Sequence, residues 1–115
     1  MVSKELIKDI VVALQDKKAG DIRVIDISEV SSMGDYFIIA DGSNPNQVQA
    51  ICDNVEELMH KSQISLKNRE GYSNGGWILL DYYDIIIHIF REEERSFYDL
   101  EHIWRDGKAV DIGDI

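Results

Sequence analysis

The sequence predicts a mixed α/β (α+β) fold, in which helices pack on a mixed β-sheet of about five strands. Segments whose apolar residues recur at helical spacing are separated by shorter apolar runs that are typical of β-strands. The predicted order of elements is α-β-β-α-β-β-β-α, so helices and strands intermix along the chain. The 115 residues contain no long linker rich in Pro, Gly or Ser, and we expect one domain over residues 1–115.

The N-terminal part is predicted to contain one helix and two strands. Apolar residues recur at helical spacing over residues 6–14, Ser3 is a candidate cap, and Gly20 lies just past the expected helix end. The two predicted strands are residues 22–27, which alternate imperfectly, and residues 36–40, which form a compact apolar run.

A second helix is predicted from the residues that start it. Asn44 is a good N-cap, and Pro45 suits the first helical position because its missing N–H would have no partner there. Gln47 completes an Asn-x-x-Gln variant of the capping box. Apolar residues then recur on one face, and we expect the helix to end near Ser62.

The C-terminal part is predicted to be rich in β-strands and to end in a helix. The candidate strands are residues 64–70, which are weaker, 77–80 and 85–90. Residues 81–84 are predicted to form a tight turn that makes the last two strands a hairpin. Residues 91–104 are predicted to be helical, and residues 105–115 are expected to be a flexible tail.

The net charge of -10 argues against a broad nucleic-acid interface. Sequence-independent binding to phosphate backbones needs an excess of Lys and Arg, whereas this chain has 22 acidic and 12 basic residues. An acidic protein is attracted to basic partners, although the charge could also serve only solubility. The N-terminus has no signal-peptide pattern and no apolar run is long enough to span a bilayer, so we expect a cytoplasmic protein.

Motifs for catalysis or metal binding are largely missing. The three histidines, His60, His88 and His102, lack the short spacings of zinc sites, and we expect His88 to be a structural or interface residue. Cys52 lies in an apolar helical register and is predicted to be a buried, inert thiol. Gly42 precedes a helix start that could hold an anion, but a capped turn explains it better. We predict no metal and no cofactor.

Paired carboxylates are the remaining candidates for chemistry. Asp81 and Asp84 flank the predicted turn and could bind a divalent cation with help from Glu92 or Glu93. Asx-type turn chemistry explains both without a metal. The chain contains no strand-borne Asp-x-Asp, which a nucleotidyl transferase would use to hold two magnesium ions. A small nucleotidyltransferase-like or phosphate-binding enzyme that uses Asp81 and Asp84 therefore stays an alternative only.

Several separated segments together resemble the ribosomal silencing factor family, also called Iojap. The matching segments are DYFIIA at residues 35–40, QVQAICDNV at 47–55, EGY at 70–72, WILLDYYDIIIHIF at 77–90 and ERSFYDLEHIW at 94–104. The resemblance covers nearly the whole chain, in order and with matching spacing. It implies a fold related to nucleotidyl transferases but without their catalytic acids, in agreement with the missing Asp-x-Asp.

The resemblance also implies a function without catalysis. Members bind the large ribosomal subunit through its fourteenth protein, uL fourteen, block joining with the small subunit, and so repress translation when nutrients are short. They also associate with large-subunit assembly. By resemblance, the partner-binding residues are Trp77, Ile78, Asp81, Tyr82 and Asp84, with His88, Tyr98 and Glu101 as weaker candidates. The family usually has Gly where this chain has Tyr83, so the geometry of the turn is open at this point. A homodimer that uses the same aromatic surface is compatible with this interpretation.

Overall fold

Two helices and six strands occur in the part of the chain that the structure, a computed structural model, describes: residues 4–28, 35–73, 75–93 and 108–110. The helices are α1 (Lys4–Asp16) and α2 (Pro45–Lys61). The strands are β1 (Gly20–Asp26), β2 (Tyr36–Gly42), β3 (Asn68–Glu70), β4 (Trp77–Asp81), β5 (Ile85–Arg91) and β6 (Lys108–Val110). Neither helix is long and apolar enough to cross a membrane.

The strands form one mixed sheet in the order β3-β4-β5-β2-β1-β6. β2 and β5 run parallel at its centre, and the other neighbouring pairs are antiparallel. Every residue of β5 except Arg91 is buried, as expected for a central strand that is covered on both faces. The predicted mixed sheet with packed helices is therefore confirmed.

The two faces of the sheet carry different apolar clusters. The larger cluster joins one face to both helices; among its sheet residues are Val24, Ile38, Ala40, Ile78, Leu80, Ile87 and Ile89. The smaller cluster lies on the opposite face and consists of Ile25, Ile27, Phe37, Ile39, Ile86 and Phe90, with Trp77 and Leu79 packed against it. We call this opposite face the outer face. Because side chains alternate along a strand, neighbouring residues belong to different clusters.

The predicted start of α2 is confirmed, with one difference in its hydrogen bonds. Asn44 is the N-cap, its side-chain oxygen accepts from the N–H of Gln47 at 2.8 Å, and Pro45 is the first helical residue. The Gln47 side chain does not return to Asn44. Its Oε1 instead accepts from the N–H and hydroxyl of Ser43 at 2.6 and 2.7 Å, which accounts for this turn without an anion. The helix ends at Lys61, next to the predicted Ser62.

Several predicted boundaries are wrong. α1 ends at Asp16, and a turn with Lys18 at φ +60° leads directly into β1, which begins at Gly20. β3 is only three residues long, shorter than the predicted strand at residues 64–70. Arg91 ends β5, where its N–H donates to the carbonyl of Gly76 at 2.8 Å, rather than starting a helix.

A sixth strand lies within the segment that was expected to be a flexible tail. Residues 108–110 form β6, which pairs antiparallel with residues 24–26 of β1. These three residues therefore belong to the sheet, and the flexibility of the tail stays an expectation. Most of the predicted helix at residues 91–104 and the remainder of the tail lie outside the described residues.

Candidate functional site

Strand β4 carries a row of partly exposed residues on the outer face of the sheet. Trp77, Leu79 and Asp81 are partly exposed, whereas Ile78 and Leu80, which alternate with them, are buried beneath the helices. We call Trp77, Leu79 and Asp81 the outer row. β3 pairs only with residues 79–81, so none of the strands in the described ranges covers β4 at Trp77 on that side. The strand thus presents an indole, an aliphatic side chain and a carboxylate on one face.

The indole of Trp77 is held by two neighbours on β5. Its ring stacks on Phe90 with ring centroids 5.3 Å apart and planes 20° from parallel. Its Nε1–H donates a hydrogen bond to Nδ1 of His88 at 3.1 Å. The His88 ring in turn lies 4.9 Å from the ring of Phe37. These contacts fix the orientation of a large, partly exposed aromatic group, which is a feature of interface anchors.

His88 is a buried residue that supports Trp77 rather than a surface contact. Only 3% of its surface is exposed, and burial lowers its pKa from 6.5 to about 4, so the imidazole is neutral at physiological pH. Because Nδ1 accepts the indole hydrogen bond, the proton of the neutral ring lies on Nε2. Among the described residues Nε2 has no hydrogen-bond partner. The burial of His88 therefore argues against the expected direct contact with a partner, and its observed contact is with Trp77.

The predicted tight turn between β4 and β5 is confirmed, and its geometry is unusual. The N–H of Tyr82 donates to the carbonyl of Ile85, and the N–H of Asp84 donates to the carbonyl of Tyr82, both at 2.9 Å. Tyr83 between them has φ +73°. The Asp81 carboxylate accepts from the N–H of Tyr83 at 2.9 Å, which is the Asx-type role considered from the sequence. Asp84 is exposed beside it.

Two of the predicted partner-binding residues lie in the core. Ile78 is fully buried and Tyr82 is 5% exposed, and both pack in the cluster that contains the helices. Burial, followed by the nearby carboxylate of Glu56, raises the pKa of the Tyr82 hydroxyl. Neither residue offers a surface to a partner. Tyr98 and Glu101, the two weaker candidates, lie outside the described residues.

Two surface residues near this site were missed from the sequence. Leu79 shares the outer face with Trp77 and Asp81, a placement that the two-residue period of a strand could have indicated. Tyr83 is the most exposed large hydrophobic side chain in the described part of the chain, at 57%. The resemblance implies its neighbour Tyr82 instead, but the turn geometry buries the ring of Tyr82 and exposes the ring of Tyr83.

The structure brings together one group of metal-type ligands within the described residues, and it is not formed by the predicted carboxylates. Cys52, Asp53 and Glu56 have ligand atoms within 4.8 Å of one another. Burial is the main factor that raises the pKa of the Cys52 thiol to about 12, and it agrees with the predicted inert cysteine. The hydroxyl of Tyr72 donates to Asp53 and the guanidinium of Arg69 to Glu56, so these carboxylates already have partners. Interactions within the protein therefore account for this group.

The carboxylates of the enzyme alternative do not form a comparable group. Within the described ranges, the carboxylates of Asp81, Asp84 and Glu92 do not come close enough together to form a group of three possible metal ligands. The Asp81 carboxylate already accepts a hydrogen bond from the backbone N–H of Tyr83 in the turn. Together with Trp77 and Leu79, Asp81 forms a partly exposed aromatic and acidic surface.

Comparisons with known proteins agree with the fold and the sequence pattern. The model of the family described as "Ribosomal silencing factor during starvation" matches residues 1–115. The ribosomal silencing factor of Bacillus subtilis is 36% identical over 112 residues, which is 97% of this chain and 95% of that protein. The chloroplastic protein Iojap of Arabidopsis thaliana is 32% identical over 97 residues, which is 84% of this chain and 40% of that protein.

Two solved structures have the same fold. A crystal structure of a Chromobacterium violaceum protein superposes with a TM-score of 0.87 at 30% identity, covering 91% of this chain and 88% of that one. A crystal structure of a Bacillus halodurans protein gives a TM-score of 0.84 at 33% identity, covering 95% of this chain and 99% of that one. By its family match over residues 1–115 and its curated relatives, the chain belongs to the ribosomal silencing factor family.

Proposed function

We propose that this protein binds the large ribosomal subunit in the cytoplasm, through ribosomal protein uL fourteen, and blocks joining with the small subunit. Translation is repressed because the bound domain occupies space that the small subunit needs. No covalent step is required. The family membership supports silencing of ribosomes as the general activity. The choice of partner protein and of the blocking mechanism is our proposal.

The observation that carries the proposal is the outer row of β4. Trp77 is a large aromatic group held by Phe90 and His88, yet partly exposed, and Leu79 continues the apolar surface beside it. Rigid aromatic side chains in partly exposed positions are favoured anchors of protein interfaces. Asp81 completes the row with a carboxylate. A standard interface of about 800 Å² per partner would extend well beyond these residues.

The charge of the chain supports a basic partner. The net charge is -10, and exposed Asp84 lies at the turn next to the outer row. Complementary charges increase the rate of encounter and exclude partners of like charge. A basic ribosomal protein fits this surface better than the negatively charged RNA around it. We therefore place the contact on protein rather than on the RNA backbone.

Cosedimentation with separated ribosomal subunits tests the proposal. We expect the protein to sediment with large subunits and not with small subunits, and to reduce light scattering when the two are mixed. Trp77→Ala should weaken binding to large subunits by about 2 kcal/mol if the indole is an anchor. Val12→Ala, which truncates an exposed side chain on α1, should bind like the unchanged protein.

Unfolding curves separate a loss of contact from a loss of folding. Trp77 packs on Phe90, so its truncation also lowers stability, and Leu79→Ala provides a milder change in the same row. If both variants are folded and both bind large subunits normally, the docking face is wrong. If the unchanged protein does not sediment with large subunits, or does so without hindering subunit joining, the proposed function is wrong.

A further inference from the structure

Tyr83 occupies a backbone conformation that tyrosine rarely adopts. Its φ of +73° lies in the left-handed region, where a β-carbon is disfavoured and glycine is not. The N–H of Asp84 donates a hydrogen bond to the carbonyl of Tyr82, which closes a three-residue turn with Tyr83 at its centre. A three-residue turn with positive φ at its centre is rare and strained. Tyr83 therefore makes the folded protein less stable than a glycine at this position would.

Burial does not compensate for this strain. The Tyr83 side chain is 57% exposed, and no apolar cluster among the described residues includes it. The Nζ of Lys67 lies over the ring, 5.5 Å from its centroid. Strained residues that the core does not need often serve binding, and the inference runs from the observed strain to function. An exposed tyrosine is also a favoured interface anchor.

The surroundings of the ring favour a cationic partner group. Asp81 and Asp84 flank Tyr83 in sequence, and Asp84 is exposed. The face of an aromatic ring attracts a guanidinium or ammonium group within about 6 Å. The contact with Lys67 is an interaction of this kind within the chain. Phosphate groups would be repelled by the two carboxylates, so the arrangement disfavours an RNA backbone.

We infer that Tyr83 is a second docking anchor of this protein, which receives an arginine or lysine side chain from the protein surface of its ribosomal partner. This inference rests on the proposed function and adds to it a residue and a contact chemistry. Tyr83 stands at the tip of the turn that directly follows the outer row. The strained turn keeps the ring in solvent, where a partner can reach it, while Tyr82 remains in the core.

Three substitutions at Tyr83 distinguish the effect of the aromatic ring on binding from the effect of the backbone strain on stability. Tyr83→Ala removes the ring and keeps the β-carbon, Tyr83→Gly removes both, and Tyr83→Phe keeps the ring. We expect Tyr83→Ala and Tyr83→Gly to weaken binding to large subunits to the same extent, by about tenfold in Kd. Tyr83→Phe should bind within about threefold of the unchanged protein. In urea, Tyr83→Gly should unfold at a higher midpoint than Tyr83→Ala, because only Gly avoids the strain.

The outcomes distinguish this inference from the proposed function. If the unchanged protein and both ringless variants bind large subunits equally well, the inference is overturned while the proposed function stands. If Tyr83→Ala binds normally and only Tyr83→Gly differs, the turn conformation matters and the ring does not, which also overturns it. Deproteinised large-subunit RNA is the second probe. Tight binding to this RNA that is lost in Tyr83→Ala would assign the ring to RNA, against the inference.

Discussion

His88 should make the protein less stable as the pH falls from about 7.5 to about 5. In the folded chain, burial lowers the pKa of His88 to about 4, so the imidazole stays neutral over this range. In the unfolded chain, the imidazole is in water and titrates near its ordinary pKa of about 6.5. The unfolded state therefore takes up a proton that the folded state does not, and the free energy of unfolding decreases.

The size of the effect follows from the two pKa values. Above the unfolded pKa, both states are neutral at His88 and the free energy of unfolding does not depend on this residue. At about pH 5 the unfolded imidazole is almost fully protonated, and the free energy of unfolding is lower by about 2 kcal/mol. The loss approaches roughly 3 kcal/mol once the pH is below the folded pKa of about 4.

Urea unfolding at the two pH values, followed by circular dichroism, measures this effect. The unchanged protein is compared with His88→Asn, whose side-chain oxygen can still accept from the indole of Trp77. His60→Asn is the matched control, because His60 is exposed on α2. Carboxylates titrate alike in all three proteins and cancel in the comparison. We expect the unchanged protein and His60→Asn to lose about 2 kcal/mol more than His88→Asn. Equal losses in all three would refute the reasoning.

Two further predictions concern backbone and core positions. Gly71 has φ +80°, and a β-carbon added there would overlap the carbonyl oxygen of Trp77, so Gly71→Ala should lower the free energy of unfolding by at least about 2 kcal/mol. Ser73→Ala at an exposed position of the same loop is the control, and a Gly71→Ala protein as stable as this control would contradict the prediction. Cys52 is fully buried with a pKa of about 12, so a thiol reagent should modify it only as fast as the chain unfolds. Rapid modification of the native protein, compared with the same reaction in urea, would show that the thiol is accessible.

The parts of the fold that local chemistry determines could be predicted from the sequence. The start of α2 depends on Asn44 and Pro45, which act within one turn, and the structure has both in the predicted roles. The apolar run at residues 85–90 predicted a strand, and the structure has β5 there, with all of its residues but the last buried. β6 could not be predicted in the same way. Its three residues form a strand because they pair with β1, more than eighty residues earlier in the chain.

The candidate site shows a different limit, because sequence gives the residues of a strand but not the side that the helices cover. A turn at residues 81–84 would pair Leu79 with Ile86 and Trp77 with His88, whereas the structure pairs Leu79 with His88 and Trp77 with Phe90. The alternation of β4 separates Trp77 and Leu79 from Ile78. The alternation was available from the sequence, and it would have placed Leu79 beside Trp77, but the register of the hairpin was not.

The side covered by helices is set by contacts that no local pattern contains. α1 and α2 both pack on the face of Ile78, and the parallel pairing of β2 with β5 fixes where that face lies. This packing makes Tyr82 a core residue, and the turn geometry leaves Tyr83 at the surface, although the two are adjacent and chemically identical. The resemblance to the silencing factors implies this strand and turn, but which of Tyr82 and Tyr83 is exposed also depends on the backbone torsion at Tyr83. That torsion, φ +73° at Tyr83, is the feature on which the inferred second anchor depends.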